Sequence, residues 1–370
     1  MLFCAKLALY ESKIKDNYYL CDRINYYIIN ITMNKKSNAS SNVRSNHWIN
    51  KNPIVLTDKS TIDGCRFIEN FKFVNSHTVP IYDVSTTAAF NQLIGHAKFN
   101  NAPYGNVYYR GVNGLFDNVL PSIMRNNPYG TTTGLDNVLD EVYNEKYMKR
   151  SLKLQVERSL PIREVQKRKR YQKYRLEALM QHYAGKTRFV DVVDNHWIAL
   201  WMGLQNFVSR GESFRHCDCQ RREIKLGDKI ESLSRKSICN DIYEYVLLIA
   251  MPYGKIDNEF GIIETNNLVE VDLRKALPSI YLRPHAQHAY VIRKRIVNNY
   301  IPDSNTFYDL ASQVVAILRI RIDRASLWLG EGGLLTQQNL FPSPSVDMGY
   351  NNLLKKTEIF ENRFDIIKYY

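Results

Sequence analysis

Apolar residues recur every three or four positions in several parts of the chain, a spacing typical of amphipathic helices. The pattern predicts three such helices, over residues 85–99, 160–184 and 195–209. Residues with capping preferences support the first two: Ser85, Thr86 and Thr87 at the start of the first, and Ser159, Pro161 and Gly185 around the second. These helices would form one layer of a folded domain.

Runs rich in Val, Ile and Tyr predict strands, mostly in the second half of the chain. The predicted strands cover residues 106–110, 244–251, 268–273, 289–293 and 317–322. The first is expected to stop at Gly111. Because most strands follow the helices in sequence instead of alternating with them, the expected fold class is α+β, with a mixed or antiparallel sheet and packed helices.

Composition divides the chain into three parts. Residues 1–53 are expected to be a flexible extension, because the polar stretch after Met33 has too few apolar residues to offset its ordering entropy. Met33 is favoured as the translation start, with a small helical extension as the alternative. Residues 54–345 form the predicted domain, including a charged insertion at 210–241, and residues 346–370 form a tail.

Charge and cysteine content narrow the class of protein. The 370 residues carry a formal net charge of +13, which favours nucleic acid, anionic lipid or a nucleotide as partner; the alternative is a basic surface that serves solubility. Six irregularly spaced cysteines indicate reduced thiols and a cytoplasmic location. No run of about 18 apolar residues occurs, so no transmembrane helix and no membrane partner are expected.

The first candidate for chemistry is Arg110, which ends a predicted strand just before a glycine. A guanidinium at a strand end can hold a carboxylate or phosphate through two parallel hydrogen bonds. The alternative is a structural arginine paired with a buried acid. The residue is therefore a candidate ligand-binding group whose surroundings decide its role.

Two further segments are dense in polar residues. Gln181–Asp191 leads from the long helix into the next loop, where Arg188 could cap the helix and His182 could be a core histidine. Arg283 and Gln287 are four positions apart and would share one face of a helix. Each segment has an ordinary structural explanation when it is taken alone.

Taken in order, these segments resemble the FRG domain family, named for a Phe-Arg-Gly motif. Tyr109-Arg110-Gly111 stands at that motif, Val119–Arg125 is similar to the family's LLPSLFR stretch, and Gln181–Asp191 is similar to its QHYGLPTRLLDW signature. Arg283 with Gln287 resembles a late Arg-x-x-x-Gln, and Leu340-Phe341-Pro342 fits the family's ending. The resemblance covers roughly residues 81–345.

The chain departs from the family pattern at two places. Ala184-Gly185-Lys186 replaces the usual Gly-Leu-Pro, and Val192 replaces the usual Trp. The loop after the long helix is therefore expected to be softer than in other members. The insertion at 210–241 is also unusually charged for the family.

The resemblance implies a bacterial or phage protein with a role in toxicity or phage defence, and an arrangement like that of ADP-ribosyltransferases with NAD as cofactor. In that scheme the catalytic positions are Arg110, Arg188 and Gln287. The cofactor-binding positions are Tyr109, Gly111, Gln181, His182, Tyr183, Thr187, Asp191 and Arg283. Because the amide of Gln287 lacks the charge with which a carboxylate stabilises a cationic transition state, a non-catalytic nucleotide sensor is the alternative.

Two other groups of residues bear on partners. Lys167–Arg175 combines basic residues with tyrosines on a predicted helix, which suits nucleic acid; the alternative is a solvated helix face. Arg293-Lys294-Arg295 is a shorter basic run. The cysteines at His216–Cys219 and Cys239 lack the paired spacing of a zinc site, so no metal is expected.

The functional classes differ in what they require of the structure. An enzyme would bring Arg110, Arg188 and Gln287 into one cleft. A nucleic-acid-binding module would place both basic runs on one exposed face, without a closed pocket. A nucleotide sensor would have a pocket for the ligand but no group able to turn it over.

Overall fold

The computed structural model describes the following residues: 52–57, 61–125, 135–136, 139, 162–183, 187–210, 215–221, 243–296, 305–330, 333–355 and 367–368. All of them belong to the compact unit formed by residues 50–370. The predictions for residues 1–51, for the caps at 159, 161 and 185, and for most of the insertion lie outside this part. Within it, no helix combines the length and apolar character needed to cross a membrane.

The strands of this part of the chain fall into two sheets. They are β1 (Cys65–Lys72), β2 (Thr78–Val84), β3 (Gly105–Val112), β4 (Val190–Val193), β5 (Gln205–Arg210), β6 (Arg215–Arg221), β7 (Tyr243–Pro252), β8 (Lys255–Asp257), β9 (Ile262–Glu264), β10 (Leu268–Asp272), β11 (Ala289–Lys294), β12 (Val314–Arg321) and β13 (Ile367–Lys368). Ten form a mixed sheet in the order β1-β2-β12-β7-β3-β4-β11-β10-β9-β8, with β2 and β12 parallel and the other neighbours antiparallel. The other three strands form a second, smaller sheet in the order β13-β6-β5.

Helices and one short 3-10 turn, at Ala311–Gln313, connect the strands. The helices of the described residues are α1 (Thr87–Asn101), α2 (Ser122–Arg125), α3 (Ile162–Tyr183), α4 (His196–Gly203), α5 (Leu273–Ala276), α6 (Leu282–Ala286), α7 (Asn305–Tyr308), α8 (Ile322–Leu329), α9 (Gln337–Leu340) and α10 (Met348–Lys355). Thr86 caps α1, because its side chain accepts a hydrogen bond from the amide of Ala89.

Apolar side chains cover both faces of the large sheet. On one face, α1, α4 and α8 share a core with β3, β7 and β12, and α3 and α5 share a second core with β10 and β11. The cross-strand partners Val193 and Ala289 belong to these two cores, which therefore lie on the same face. The opposite face carries a third core, which includes Tyr108, Leu247 and Ile317.

The structure confirms the α+β class and a mixed sheet with packed helices. The helix predicted over 85–99 corresponds to α1 and the one over 160–184 to α3, whose Leu176 and Leu179 are buried. The four strands predicted after residue 241 correspond to β7, β10, β11 and β12.

Two element boundaries differ from the prediction. The helix expected over 195–209 ends at Gly203, and Gln205–Arg210 is strand β5, paired with β6 from within the expected insertion. Leu204 and Val208 fit a helical and an alternating pattern equally well, so spacing alone could not separate them. The strand expected to stop at Gly111 continues to Val112, because both residues pair with β7.

The large sheet has a seam between β3 and β4, where Tyr109 pairs with Val193 and no further pair follows. By contrast, β3 pairs with β7 over its whole length. Across the seam, the Arg110 side chain donates a hydrogen bond from Nη1 to the carbonyl oxygen of Asp191, at 2.6 Å. A side chain thus joins two strands at a point where the backbone ladder has stopped.

Gly111 is required by the close approach of α4 to β3. A Cβ at this position would lie 1.8 Å from the carbonyl oxygen of Ala199 and 2.6 Å from the amide of Gly203, both backbone atoms that cannot rotate away. We therefore expect Gly111→Ala to lower the free energy of unfolding by at least about 2 kcal/mol. Gly114→Ala, in the following loop, meets nothing within 4 Å and should change it by less than about 1 kcal/mol. Urea denaturation of both variants tests this, and equal stabilities would contradict it.

Glu270 is a buried carboxyl on the face of the third core. It accepts a hydrogen bond from the Tyr108 hydroxyl at 2.5 Å. Burial, together with the charge of Asp272, raises the pKa of Glu270 to about 7 against the lowering effect of the Tyr108 hydrogen bond. Folding therefore favours the protonated carboxyl, and the chain loses stability as the pH rises from about 4.5 to 7.

Glu270→Gln should remove this loss, because an amide of the same shape carries no charge to bury. We expect the variant to be more stable than wild type by about 2–3 kcal/mol at pH 8 and to show no gain at pH 4.5. Thermal or urea unfolding across that range measures the difference. Glu259→Gln, at an exposed carboxylate paired with Arg168, is the control and should show no such rise. A gain that is the same at both pH values would contradict the assignment.

Candidate functional site

A cavity of about 580 Å³ lies at the end of β3 and under the loop that follows it. Its apolar walls come from the third core and from the loop, and its polar groups from two arginines and three amides. The lining residues are Phe73, Arg110, Gly111, Val112, Asn113, Gly114, Leu115, Phe116, Asn118, Val119, Leu120, Met124, Arg125, Met202, Gln205, Leu247 and Ile317. No Asp, Glu or His occurs among these described lining residues.

Arg110 is half-buried in the cavity wall, at the point where β3 turns into the loop. Its Nη1 is held by the carbonyl oxygen of Asp191. Burial and then the positive charge of Arg125 lower the pKa of Arg110 to about 10, against a raising effect from Asp191. The guanidinium of Arg110 is therefore still charged at pH 7, and the positive charge of Arg125 acts on it.

Arg125 is exposed at the rim of the same cavity, at the end of α2. Its Nε donates a hydrogen bond to the carbonyl oxygen of Leu120 at 3.0 Å. Among the described residues, neither Arg110 nor Arg125 forms an ion pair with a carboxylate. Both guanidinium groups are thus positioned by backbone carbonyls and keep most of their N–H groups available.

The Asp191 carboxylate is the centre of a polar cluster behind Arg110. Gln181 donates from Nε2 to Oδ2 of Asp191 at 2.5 Å, and the Thr187 hydroxyl donates to Oε1 of Gln181 at 2.5 Å. His182 Nδ1 lies 3.7 Å from Oδ1 of Asp191. The amide of Thr187 donates to the hydroxyl of Ser122, so the cluster is also tied to α2.

The protonation states in this cluster follow from burial and charge. Burial lowers the pKa of His182 and outweighs the raising effect of Asp191. Partial burial raises the pKa of Asp191, but its interaction with His182, the charge of Arg110 and the hydrogen bond from Gln181 together lower it below its usual value. At neutral pH the cluster therefore holds a neutral imidazole beside a carboxylate, and Asp191 presents its carbonyl to Arg110.

Arg188 is placed away from the cavity, in a buried ion-pair network. Its side chain bonds both oxygens of Glu177 and both oxygens of Asp136, at 2.9–3.1 Å. Arg293 Nη1 also donates to Glu177, at 2.6 Å. Burial raises the pKa of Glu177, but the charges of Arg188 and Arg293 lower it below its usual value. The network links α3 to β11 and to the segment before β4.

Arg283, Gln287 and Tyr183 also lie outside the cavity lining. The guanidinium of Arg283 sits 4.3 Å from the ring centre of Tyr183 and donates to the carbonyl oxygen of His182 at 2.7 Å. The Tyr183 hydroxyl donates to Asp347 at 2.6 Å. Gln287 donates from Nε2 to the carbonyl oxygen of Leu340, also at 2.7 Å. These contacts connect α3, α6 and α9, so the structure gives the three residues packing partners.

Of the remaining predicted positions, Gly111 lines the cavity and Tyr109 does not. Tyr109 points to the opposite face of the sheet, where it is buried in the core formed with α1 and α4. Alternation along β3 accounts for this, because neighbouring residues of a strand point to opposite faces. The structure therefore brings Arg110 and Gly111 to the cavity and Gln181, His182, Thr187 and Asp191 to the cluster behind it.

The basic residues of α3, which were predicted to bind nucleic acid, form ion pairs with acidic residues of the same chain. Lys167 bonds Asp257, Arg168 bonds Glu259 and Arg170 bonds Glu264. Tyr171 and Tyr174, the rings expected to stack on bases, are buried. In the shorter basic run, Arg293 forms a buried ion pair with Glu177, and Arg295 forms an ion pair with Glu264. These pairs reduce the charge that either run presents to a phosphate backbone.

Sequence reasoning gave no role to Arg125, which the structure places in the lining of the cavity. It was recognised as the end of the Val119–Arg125 stretch, but no role followed from that position. The signal that could have found it is the Pro121-Ser122 pair, which is typical of the start of a helix. The short helix α2 begins there and ends at Arg125, in the cavity wall. Among the described residues, no group of three His, Cys, Asp or Glu could hold a metal ion. The side chains of His216–Cys219, and Cys239, lie outside that description.

The buried network yields a prediction for stability. Glu177→Gln leaves Arg293 without its acid and removes one of two from Arg188, so we expect a loss of about 3–5 kcal/mol at pH 7. The pKa of Glu177 is lowered, so its contribution is present above its unfolded value of 4.5 and fades as the pH falls below it. Urea unfolding at several pH values measures this. Glu259→Gln is the exposed control, with a loss below about 1 kcal/mol. Equal losses in the two variants would contradict the assignment.

Comparison with known families gives one match within this chain. Residues 105–210 match the family model described as the FRG domain. No curated protein and no solved structure matches the chain. The matched segment contains Arg110, Arg125 and Asp191, and hence both cavity arginines and the centre of the polar cluster, whereas Arg283 and Gln287 fall beyond it. This chain contains an FRG domain.

Proposed function

We propose that the FRG domain binds a small anionic ligand of the nucleotide class in the cavity beside Arg110, and that it senses this ligand without transforming it. The observation that carries the proposal is the pair of arginines, Arg110 and Arg125, which line one cavity and form no ion pair with a carboxylate of the described residues. NAD belongs to the ligand class. A role in toxicity or phage defence would then operate through ligand-dependent signalling.

Charge provides the physical argument for an anion. Two guanidinium groups facing one concavity repel each other, and the effect of Arg125 on the pKa of Arg110 reflects this. An anion relieves the repulsion and accepts charge-assisted hydrogen bonds from planar donors. Because backbone carbonyls already hold both side chains, little side-chain freedom remains to be lost on binding.

The absence of an acid in the described lining favours sensing over ADP-ribosyl transfer. Cleavage of the nicotinamide bond builds positive charge on the ribose, which a nearby carboxylate would stabilise. Gln287 is bonded to Leu340 outside the lining, and the Asp191 carboxylate, which accepts a hydrogen bond from Gln181 and lies 3.7 Å from His182, is also outside it. Arg188 is likewise held by two acids. Of the catalytic residues that the transferase scheme requires, Arg188 and Gln287 are therefore bound elsewhere, and only Arg110 lines the cavity.

Nucleic-acid binding is a weaker alternative for this chain. The basic stretch of α3 is paired with acids from the β8–β9 region, and its tyrosines are buried. A phosphate backbone would have to displace those acids before it could be bound. The cavity arginines require no such displacement.

Calorimetric titration with ATP, ADP and NAD tests the proposal. We expect binding that weakens as salt rises, and no release of nicotinamide from NAD. Arg110→Gln should weaken binding by at least about tenfold, because it removes a charge-assisted pair at the cavity wall. Arg125→Gln, at the exposed rim, should weaken it without affecting folding.

Arg66→Gln is the matched control, since its side chain is 72 % exposed on β1 and pairs with Asp83 outside the cavity. It should bind like wild type. Failure of all three ligands to bind at millimolar concentration would overturn the proposal. Nicotinamide release that disappears in Arg110→Gln would instead establish the transferase scheme.

A further inference from the structure

We propose that the ligand carries two adjacent phosphate groups, and that the guanidinium groups of Arg110 and Arg125 bind this diphosphate together. The inference rests on the proposed function and names the chemistry of its ligand. It assigns Arg125 a direct role in binding. It also predicts which part of the ligand determines affinity.

The geometry of the two arginines supports a shared anion. They approach one cavity from different elements: Arg110 from the end of β3, and Arg125 from the end of α2. Each commits one nitrogen to a backbone carbonyl, Nη1 for Arg110 and Nε for Arg125. The remaining N–H groups of each can form a forked pair with an oxyanion.

A single monoanionic group can form such a pair of hydrogen bonds with only one of the two guanidinium groups. Two forks on separate elements are matched by two anionic groups in sequence, as in a diphosphate. The charge of Arg125 acts on Arg110, and the single carboxylate of Asp191 offsets only part of the positive charge of the pair, so an anion bound at one arginine alone would leave net positive charge beside it. A diphosphate neutralises both and removes their repulsion.

The rest of the cavity is too large for a diphosphate alone. Its volume of about 580 Å³ lies in the range of sites for whole small molecules. Phe73, Phe116 and Leu247 give apolar surface for a planar ring, while Asn118 adds an amide that can bond the edge of a base. A nucleoside diphosphate combines these features in one ligand.

The ribose is expected to matter little. Its hydroxyl groups are commonly recognised by a carboxylate, and no acid occurs among the described lining residues. Affinity should therefore follow the number of phosphates and be nearly indifferent to the 2′-hydroxyl. This separates the inference from nucleotide sites that select ribose.

Titrations of the full chain with adenosine, AMP, ADP, 2′-deoxy-ADP and pyrophosphate, without divalent cations, test this. We expect ADP to bind at least about tenfold more tightly than AMP, because the second phosphate engages the second guanidinium. The 2′-deoxy-ADP should bind within about threefold of ADP, and adenosine much more weakly than AMP. Pyrophosphate should compete with ADP for the site.

A double-mutant cycle tests whether the arginines act together. For ADP, the loss in Arg110→Lys combined with Arg125→Gln should be clearly smaller than the product of the two single losses, because each single change already breaks the bridge. For AMP the losses should multiply. Arg110→Lys keeps a positive charge on the seam, and Arg125→Gln alters an exposed residue, so both variants are expected to fold. Arg66→Gln should leave every affinity unchanged.

The outcomes separate the inference from the proposed function. Equal affinities for AMP and ADP, or single losses that multiply for ADP, would overturn the diphosphate bridge while leaving an anion-binding domain in place. Absence of binding for every phosphorylated compound would overturn both. If 2′-deoxy-ADP bound more than about tenfold more weakly than ADP, the site would recognise the 2′-hydroxyl group, and the inference would be contradicted.

Discussion

The hydrogen bond from Arg110 to the carbonyl of Asp191 is the constraint on which the candidate site depends. The Tyr109–Val193 pair would place Gly111 opposite Asp191 if the β3–β4 ladder continued, but it does not. A side chain supplies the donor across the seam instead. The guanidinium is thereby fixed at the end of β3, where the cavity begins, and the cluster around Asp191 holds the strand that receives it.

Charged groups in this fold have two different arrangements. In the Glu177 network, acids and arginines match closely, which allows ionised groups to remain inside the protein. In the cavity, Arg110 and Arg125 have carbonyl partners, which orient a guanidinium but do not neutralise it. The first arrangement stabilises the fold. The second keeps positive charge in a concave site, at a cost in self-repulsion that an anion would remove.

Much of the fold follows from local pattern, and much of the site does not. Helical spacing predicted α1 and α3, and runs of β-branched and aromatic residues predicted the strands β7, β10, β11 and β12, which are buried over most of their length. The end of α4 at Gly203 was not predicted, because Leu204 and Val208 fit both the helical and the alternating pattern. Of the candidate residues, Arg110, Gln181 and Asp191 are joined by hydrogen bonds. The different surroundings of Arg110 and Arg188 could not be predicted, because Arg188 is bound by Asp136, which is 52 positions away in sequence.

In this chain the motif residues form the scaffold of the proposed ligand site. Thr187 and Gln181 form a chain of hydrogen bonds to Asp191, and Asp191 in turn holds Arg110, so these polar residues act on the cavity through one guanidinium. Arg188 instead fastens α3 to the sheet. A shared motif in this domain consequently specifies how an arginine is presented, whereas the loop from Asn113 to Arg125 supplies most of the surface that a ligand would touch. We expect changes in that loop to alter what the proposed site binds while the motif stays the same, because the two parts meet at Arg110 and through the hydrogen bonds of Ser122 and Ile123 with Thr187.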